Sequence, residues 1–584
     1  MIKEILDEVS ADRAHEHIVK ISEKVPQRLA GSPELKWMAH YTRDAMEAAG
    51  VPATVYDLDA LVSFPGTASL KLVAPETREL RCLPFCHIKS TDAKGIEGEL
   101  VFVGAGTEKD YEGKDVRGKI TLSELSYSPP RQEKERIGSA KGAIGHVMMN
   151  WGPSDCEIIA YGSVKGVWGN PTPETIKSMP TTPCVTVSRK TGEMLRDMCK
   201  QGKVRVWLSA QCPEEWRTTQ ITIGRLEGSE EPDKAILIGG HMDAWGGGVS
   251  CNAVGNAAVL ELARAFAKHR DKVKRSVWFT LWSGHETGTM TGSTWFCDHF
   301  WDELDRKALT YINVDSPGLV GATEYNTRSS SELLRFHKDV EAKLLPGVHC
   351  RRVRLTRIGD MSFVGLGVPT LSPRIAYSEE QVKAWNGADL GPWHHSDEMT
   401  LETVDMKVLQ KDLAVYVGLV GRMSNEPVLP YDFTPVGQEM VKRLDELAPK
   451  APKEFGLEEL RVRARRFNDF AVQLEKKVQL LREKEKWPLS REAIAANRSL
   501  IRLARLLNAP ASAVNGKWDQ DIYGLSTLRT VFPSLYPIEE LEKMNPEALN
   551  TRLLQTRLIR NRNWIGDCLK EAVSTAEKAL EELA

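Results

Sequence analysis

Four apolar runs along this chain end in residues that ligate metals. Ile236 to Ile238 precede His241, Val277 to Leu281 precede His285 and Glu286, Tyr311 to Val314 precede Asp315, and Pro392-Trp393 precede His394 and His395. Short apolar runs bounded by glycine and turn residues predict buried strands. A helical pattern from Asn256 to His269 lies between the first two, and the strands into His241, from Ser276 to Trp282 and from Leu309 to Val314 make an α/β pattern that begins after Thr219. In an open α/β sheet the carboxyl ends of the strands converge on one crevice, so residues distant in sequence can meet around one ion. The pattern therefore predicts a metal site on a sheet edge.

The rest of the chain reads differently. From Ile5 to about Gly50 the periodicity predicts two helices and a loop, Arg28-Leu29-Ala30-Gly31-Ser32-Pro33, with Ser32 capping the helix that Pro33 begins. Between about Leu61 and Cys212 short β-rich runs with Gly and Pro turns, such as Gly98 to Val103 and Gly118 to Leu122, predict a separate β-rich unit inserted into a larger domain. Beyond about Asn425 the pattern is helical. There Leu460, Ala464, Phe467, Ala471, Leu474, Val478 and Leu481 repeat at three and four residues and form one apolar stripe, which suits an intramolecular bundle or a dimer interface equally. The expected segments are 1–60, 61–212, 213–425 and 426–584.

Composition narrows the partners more than the fold. With 584 residues the chain is too long for one core, and 78 Lys and Arg against 80 Asp and Glu give a net charge of −2, which favours neither nucleic acid nor an anionic membrane. The opening MIKEILDEVSADRAHEHIVK has no signal-peptide core or spanning segment, so a cytoplasmic location is expected. Ten scattered cysteines without a CxxC pair suit free thiols. His241-Met242-Asp243 places a carboxylate beside a strand-end histidine, as metal ligands commonly require. Asp315 follows so apolar a strand that it needs a partner against desolvation, and a metal supplies one.

The run GGHMDAWGGGVSCNAVGNAAVLELARAF, followed by TLWSGHETGTMTGSTWF, YINVDSPG and WHHSDEMTLETVD, resembles the bimetallic zinc aminopeptidase family that includes glutamate carboxypeptidase II and the transferrin receptor. The resemblance extends almost end to end. QRLAGSPELKWMAHYTRDAMEAAGV is similar to the family's N-terminal loop and helix, Leu100 to Asn150 to its protease-associated domain, and Trp518 to Phe532 with the last long helix to its dimerisation domain. The implied fold is α/β: a zinc-aminopeptidase-like central mixed sheet flanked by helices, formed by 1–60 and 213–425, with an inserted protease-associated domain at 61–212 and a helical dimerisation domain at 426–584. A homodimer is the implied assembly.

Carried over by position, the resemblance implies that His241, Asp315, Glu286 and His395 are metal ligands, with Asp243 supporting His241. Two positions depart from it. Where the family has an aspartate bridging two zinc ions stands Cys251, and where it has the glutamate that takes a proton from the attacking water stands His285. A single thiolate prefers softer metals and different distances, which favours one ion over two and makes Cys251 a ligand or a small packed hydrophobe. His285 is a substitute base or a further ligand, and Glu286 takes the base role if His285 binds the metal. His394 stands where the carboxypeptidase branch has a tyrosine beside the tetrahedral intermediate; an imidazolium there would do similar electrostatic work. Arg374, in SPRIAY, lies near that branch's carboxylate-binding arginines, and a solvated surface position suits it equally.

The function these residues point to is a metal-dependent hydrolase of an amide or peptide-like bond. Its catalytic groups are His285, Glu286, Asp243 and His394, Arg374 binds substrate, and zinc, as one or two ions, is the expected cofactor, with iron the alternative. The substrate is a small molecule or short peptide-like compound of non-standard kind. Two other classes compete: a metal Lewis-acid lyase or isomerase, and a non-catalytic scaffold as in the transferrin receptor.

Overall fold

In a computed structural model, the structure describes residues 2–357, 359–452, 455–526, 528–541 and 543–583. Its centre is a six-stranded mixed sheet. The strands run in the order Ala53–Ser63, Glu214–Leu226, Arg275–Trp282, Glu231–His241, Ala308–Asn313 and Thr370–Leu371. The last four are mutually parallel and the first two pair antiparallel, so the apolar strands beneath His241, His285 and Asp315 all present their carboxyl ends on one edge. All eight residues of Arg275–Trp282 and all six of Ala308–Asn313 are buried, as strands covered on both faces must be. The helices Val254–Lys268 and Met406–Asn425 pack against this sheet. The fold is the α/β class expected, with mixed sheets flanked by helices and a helical C-terminal region.

A second sheet of eight strands is built entirely between Thr67 and Gln211, and its buried side chains form a core of their own that reaches Trp245 and Cys251 at the central sheet's edge. After the central sheet come Thr434–Leu447, Leu457–Lys484, Arg491–Ser512 and the long Leu549–Glu582. Every residue of the apolar stripe from Leu460 to Leu481 is buried against the neighbouring helices of the same chain. Of the two uses the periodicity left open, the stripe serves the intramolecular bundle. Arg505, buried on Arg491–Ser512, donates to the carbonyls of Leu304, Ala308 and Gly367 and so fixes the bundle to the central sheet.

Two local expectations differ from the structure. The N-terminal segment forms three helices, Ile2–Glu8, Ala11–Lys24 and Pro33–Ala48. The extra break at Val9-Ser10 is stable because the freed amides of Ser10 and Ala11 donate to Glu261 Oε1 (2.8 Å) and Gln410 Oε1 (2.7 Å), side chains distant in sequence. Ser32 caps the third helix as expected, accepting from the Leu35 amide at 3.1 Å. Pro392-Trp393 is not a strand but a tight turn, closed by His394 N–H to Gly391 O and Ser396 N–H to Trp393 O, so His394 and His395 reach the sheet edge from a loop.

Candidate metal centre and cleft

His241 is the last residue of its strand and is buried. Its Nδ1 is 2.8 Å from the backbone carbonyl of Asp243, which accepts the Nδ1 proton and turns Nε2 toward Asp315 and Cys251. The Asp243 carboxylate does something else. It accepts the amides of His285 (3.2 Å) and Glu286 (2.8 Å), holding that loop over the strand end, while lying 3.9 Å from His241 Nδ1. The support expected from Asp243 thus passes through its backbone oxygen, and its side chain orients the neighbouring loop instead.

Cys251 lies in the loop between the glycines 246–248 and the helix Val254–Lys268, and is buried. Asn252 and Asn256 pin that loop to the strand ends. Asn252 Nδ2 donates to Val314 O (3.0 Å), Asn252 Oδ1 accepts from Ser316 N–H (3.1 Å), and Asn256 Nδ2 donates to His241 O (2.8 Å). The guanidinium of Arg28, fully buried, donates to Met242 O and Gly248 O at 2.6 and 3.0 Å and clamps the same loop from behind. A side chain at Gly240 is excluded, since its Cβ would lie 2.1 Å from Val314 O.

So held, the Cys251 sulfur is 3.6 Å from His241 Nε2 and 3.8 Å from Glu286 Oε1. His241 Nε2 is 3.9 Å from Asp315 Oδ1, and His395 Nε2 is 3.0 Å from Glu286 Oε1. Ligand atoms of His241, Cys251 and Asp315 lie within 4.8 Å of one another, as do those of Cys251, His394 and His395, and those of His241, His285 and Glu286. Zinc–sulfur and zinc–nitrogen bonds of ordinary length at a tetrahedral angle put the two donors about 3.6 Å apart. The donor set of thiol, imidazoles and carboxylates therefore fits a transition ion, and the sulfur sits at the right spacing from His241 on one side and Glu286 on the other. Electrostatics agree. Burial, with Glu286 and Asp315 nearby, pushes the Cys251 thiol well up, so a cation is what would hold it as thiolate.

His285 extends this centre. Its ring stacks on His241 at 3.9 Å between centroids, and its Nδ1 is 3.0 Å from Asp360 Oδ2. Burial alone would lower its pKa, but the charge and hydrogen bond of Asp360, together with the nearby Glu286 and Asp315, push His285 up to about 10. Asp360 is fully buried and its other oxygen accepts from Ser293 Oγ at 2.9 Å. Burial would raise Glu286, but the charge and hydrogen bond of His395 with the charges of His285 and His241 together hold it well below the usual carboxylate range. His394 moves the other way. Burial first, and the His395 ring second, hold it well below its ordinary value, which disfavours the imidazolium form.

Cys251, His285, Asp315, His394 and His395 floor a cleft of ≈ 290 Å³ whose walls come from three parts of the chain. Arg131 and Trp151 come from the segment of the second sheet, Arg328 and Arg374 from the central domain, and Tyr523 from the C-terminal region. Arg374 is buried on the strand Arg374–Ala376 and lines the cleft, 3.7 Å from Asp389; the solvated surface position is thereby corrected, since the strand turns its side chain inward. Arg131 and Arg328 have no carboxylate partner among the described residues. Asp360, Arg131, Arg328 and Tyr523 escape a reading of the sequence. Only Asp360, an acid between Gly359 and the buried Met361 to Val364, carries a signal that could have marked it.

Residues 222–411 match the model of peptidase family M28. The probable glutamate carboxypeptidase VP8 of Zea mays is 25% identical over 501 residues, covering 72% of this chain and 68% of that protein. Transferrin receptor protein 1 of Gallus gallus is 26% identical over 304 residues, 42% of this chain and 37% of that one. Among solved structures, a zinc aminopeptidase from Bacillus subtilis superposes with a TM-score of 0.53 at 19% identity, covering 70% of this chain and 94% of its own, a likeness of fold.

Proposed function

We propose that this chain, whose residues 222–411 carry the peptidase family M28 pattern within a zinc-aminopeptidase-like fold, is a metal-dependent hydrolase of an amide or peptide-like bond in a small substrate bearing a carboxylate. The observation that carries the proposal is the convergence of His241, Cys251, Glu286, Asp315 and His395 from four separate segments, with Cys251, Asp315 and His395 lining one cleft and His241 and Glu286 within 4 Å behind them. An ion held there would polarise the scissile carbonyl and make water a better nucleophile.

The chain's own residues supply the rest. Asp360 accepts the Nδ1 proton of His285, which fixes the tautomer and directs Nε2 to take a proton from water once the positive charge of an ion held by the neighbouring ligands offsets the pull of the surrounding acids. Arg131, Arg328 and Arg374 offer three guanidinium groups in a cleft whose own carboxylates are Asp389 and Asp315, the latter committed to the metal centre, so an anionic end of the substrate is attracted and oriented between them. The walls of the cleft exclude bulk water and strengthen these charges.

The test combines elemental analysis of the purified protein with a screen of N-acyl amino acids and short acidic peptides in ¹⁸O-labelled water. Zinc in the protein and one labelled oxygen in the product support hydrolysis. Turnover without label points to the lyase or isomerase chemistry, and metal-free protein without turnover to the scaffold.

A further inference from the structure

The hydrolysis proposed above gives no task to the ring of His394. It is nine-tenths buried and lines the cleft, yet among the described residues it makes no hydrogen bond or ion pair. Its ring, open to the cleft and without a hydrogen-bond partner among the described residues, can engage something there. Its surroundings say what. One ligand atom each from Cys251, His394 and His395 lie within 4.8 Å of one another, and all three residues are buried.

Consecutive residues seldom present two side chains to one point. Here they do because His395 adopts a left-handed backbone, with φ of 61°, which turns its ring back alongside that of His394; the two stack at 3.8 Å between centroids. Trp151 lies against His394 at 5.7 Å and limits where the ring can go.

We infer that Cys251, His394 and His395 form a thiolate and bis-imidazole metal site, so that the ion beside His395 is held by one sulfur and two ring nitrogens. The inference rests on the metal centre proposed above and adds to it a ligand and a selectivity. Neutral imidazole and thiolate donors suit zinc, cobalt and copper, whereas magnesium and manganese need oxygen donors. The centre is therefore specific for borderline and soft ions, and His394 is part of the reason.

The test uses the full chain, stripped of metal and equilibrated in turn with Zn(II), Co(II), Mn(II) and Mg(II), with bound metal measured after dialysis and the absorption spectrum of the cobalt form recorded. Wild type is compared with Cys251→Ser, His394→Ala and His394→Tyr, the last keeping a ring against Trp151. Expected are retention of zinc and cobalt but not of manganese or magnesium, and a near-ultraviolet sulfur-to-cobalt band that Cys251→Ser lacks. Both His394 variants are expected to bind cobalt at least about tenfold more weakly and to change its visible bands while keeping the wild-type circular dichroism. If the His394 variants match wild type in affinity and spectrum while Cys251→Ser does not, His394 is no ligand and the metal centre stands. If wild type binds no metal at all, the centre itself is refuted, and this site with it.

Discussion

At the scale of single residues the proposed chemistry turns on Cys251 and His285, and on the groups that make each workable. His285 is useful as a base only if its tautomer is fixed, and the 3.0 Å contact with Asp360 fixes it. Asp360→Asn is therefore expected to lower kcat by about 10²-fold with KM little changed, measured on whichever amide the substrate screen identifies; an unchanged kcat would remove His285 from proton transfer. Arg131→Met and Arg374→Met should act the other way, raising KM for carboxylate-bearing substrates while leaving neutral analogues unaffected. Asn252 joins Val314 to Ser316 from a fully buried position, and Asn252→Ala should cost about 2 kcal/mol in urea titration because two buried backbone groups lose their partner.

A buried lysine gives a prediction of a different kind. Lys165 donates to the carbonyls of Leu61 and Gly288, and burial pushes it down to about 7 from its ordinary 10.5. The folded state thus binds this proton less tightly than the unfolded chain, so the group contributes stability above the ordinary value that is lost as pH falls toward 7. Between about pH 7.5 and about pH 9.5 wild type should gain at least about 1 kcal/mol relative to Lys165→Met. Parallel curves for the two proteins would show that Lys165 is charged in the fold.

Elements were legible where the apolar pattern was continuous. The strands ending at His241, Trp282 and Asn313 are fully buried at their carboxyl ends, and an unbroken apolar run is what such a strand requires. The same holds for Leu457–Lys484, whose stripe is wholly buried; Phe467→Ala there should cost about 3–5 kcal/mol, and a cost near zero would mean the helix is not packed as described. Legibility failed where tertiary contacts decide. The break at Ser10 depends on Glu261 and Gln410, and the turn at Pro392-Trp393 depends on loop hydrogen bonds that no periodicity encodes. The cleft arginines were hidden for the same reason. Arg131 and Arg328 stand in polar stretches of separate segments, and only the folded chain brings them beside Arg374.

At the scale of the whole molecule, three regions distant in sequence share one cleft. The β-rich segment contributes Arg131 and Trp151, the C-terminal region Tyr523, and the loops at the central sheet's edge the proposed ligands Cys251, Asp315 and His395. Binding at the cleft should therefore couple these regions to one another. The homodimer expected from the resemblance cannot use the stripe from Leu460 to Leu481, which is buried within one chain. Light scattering across a dilution series should still return twice the mass of one chain, and a monomer at every concentration would contradict that expectation.

The central claim is that residues from separate strand ends and loops grip a transition ion on the floor of the cleft. Diffraction from crystals of the purified protein, collected on both sides of the zinc absorption edge, tests it most directly. We expect an anomalous peak within bonding distance of Cys251 Sγ and His241 Nε2. A cleft with no such peak, and with the Cys251 sulfur turned into packing away from His241, would contradict it.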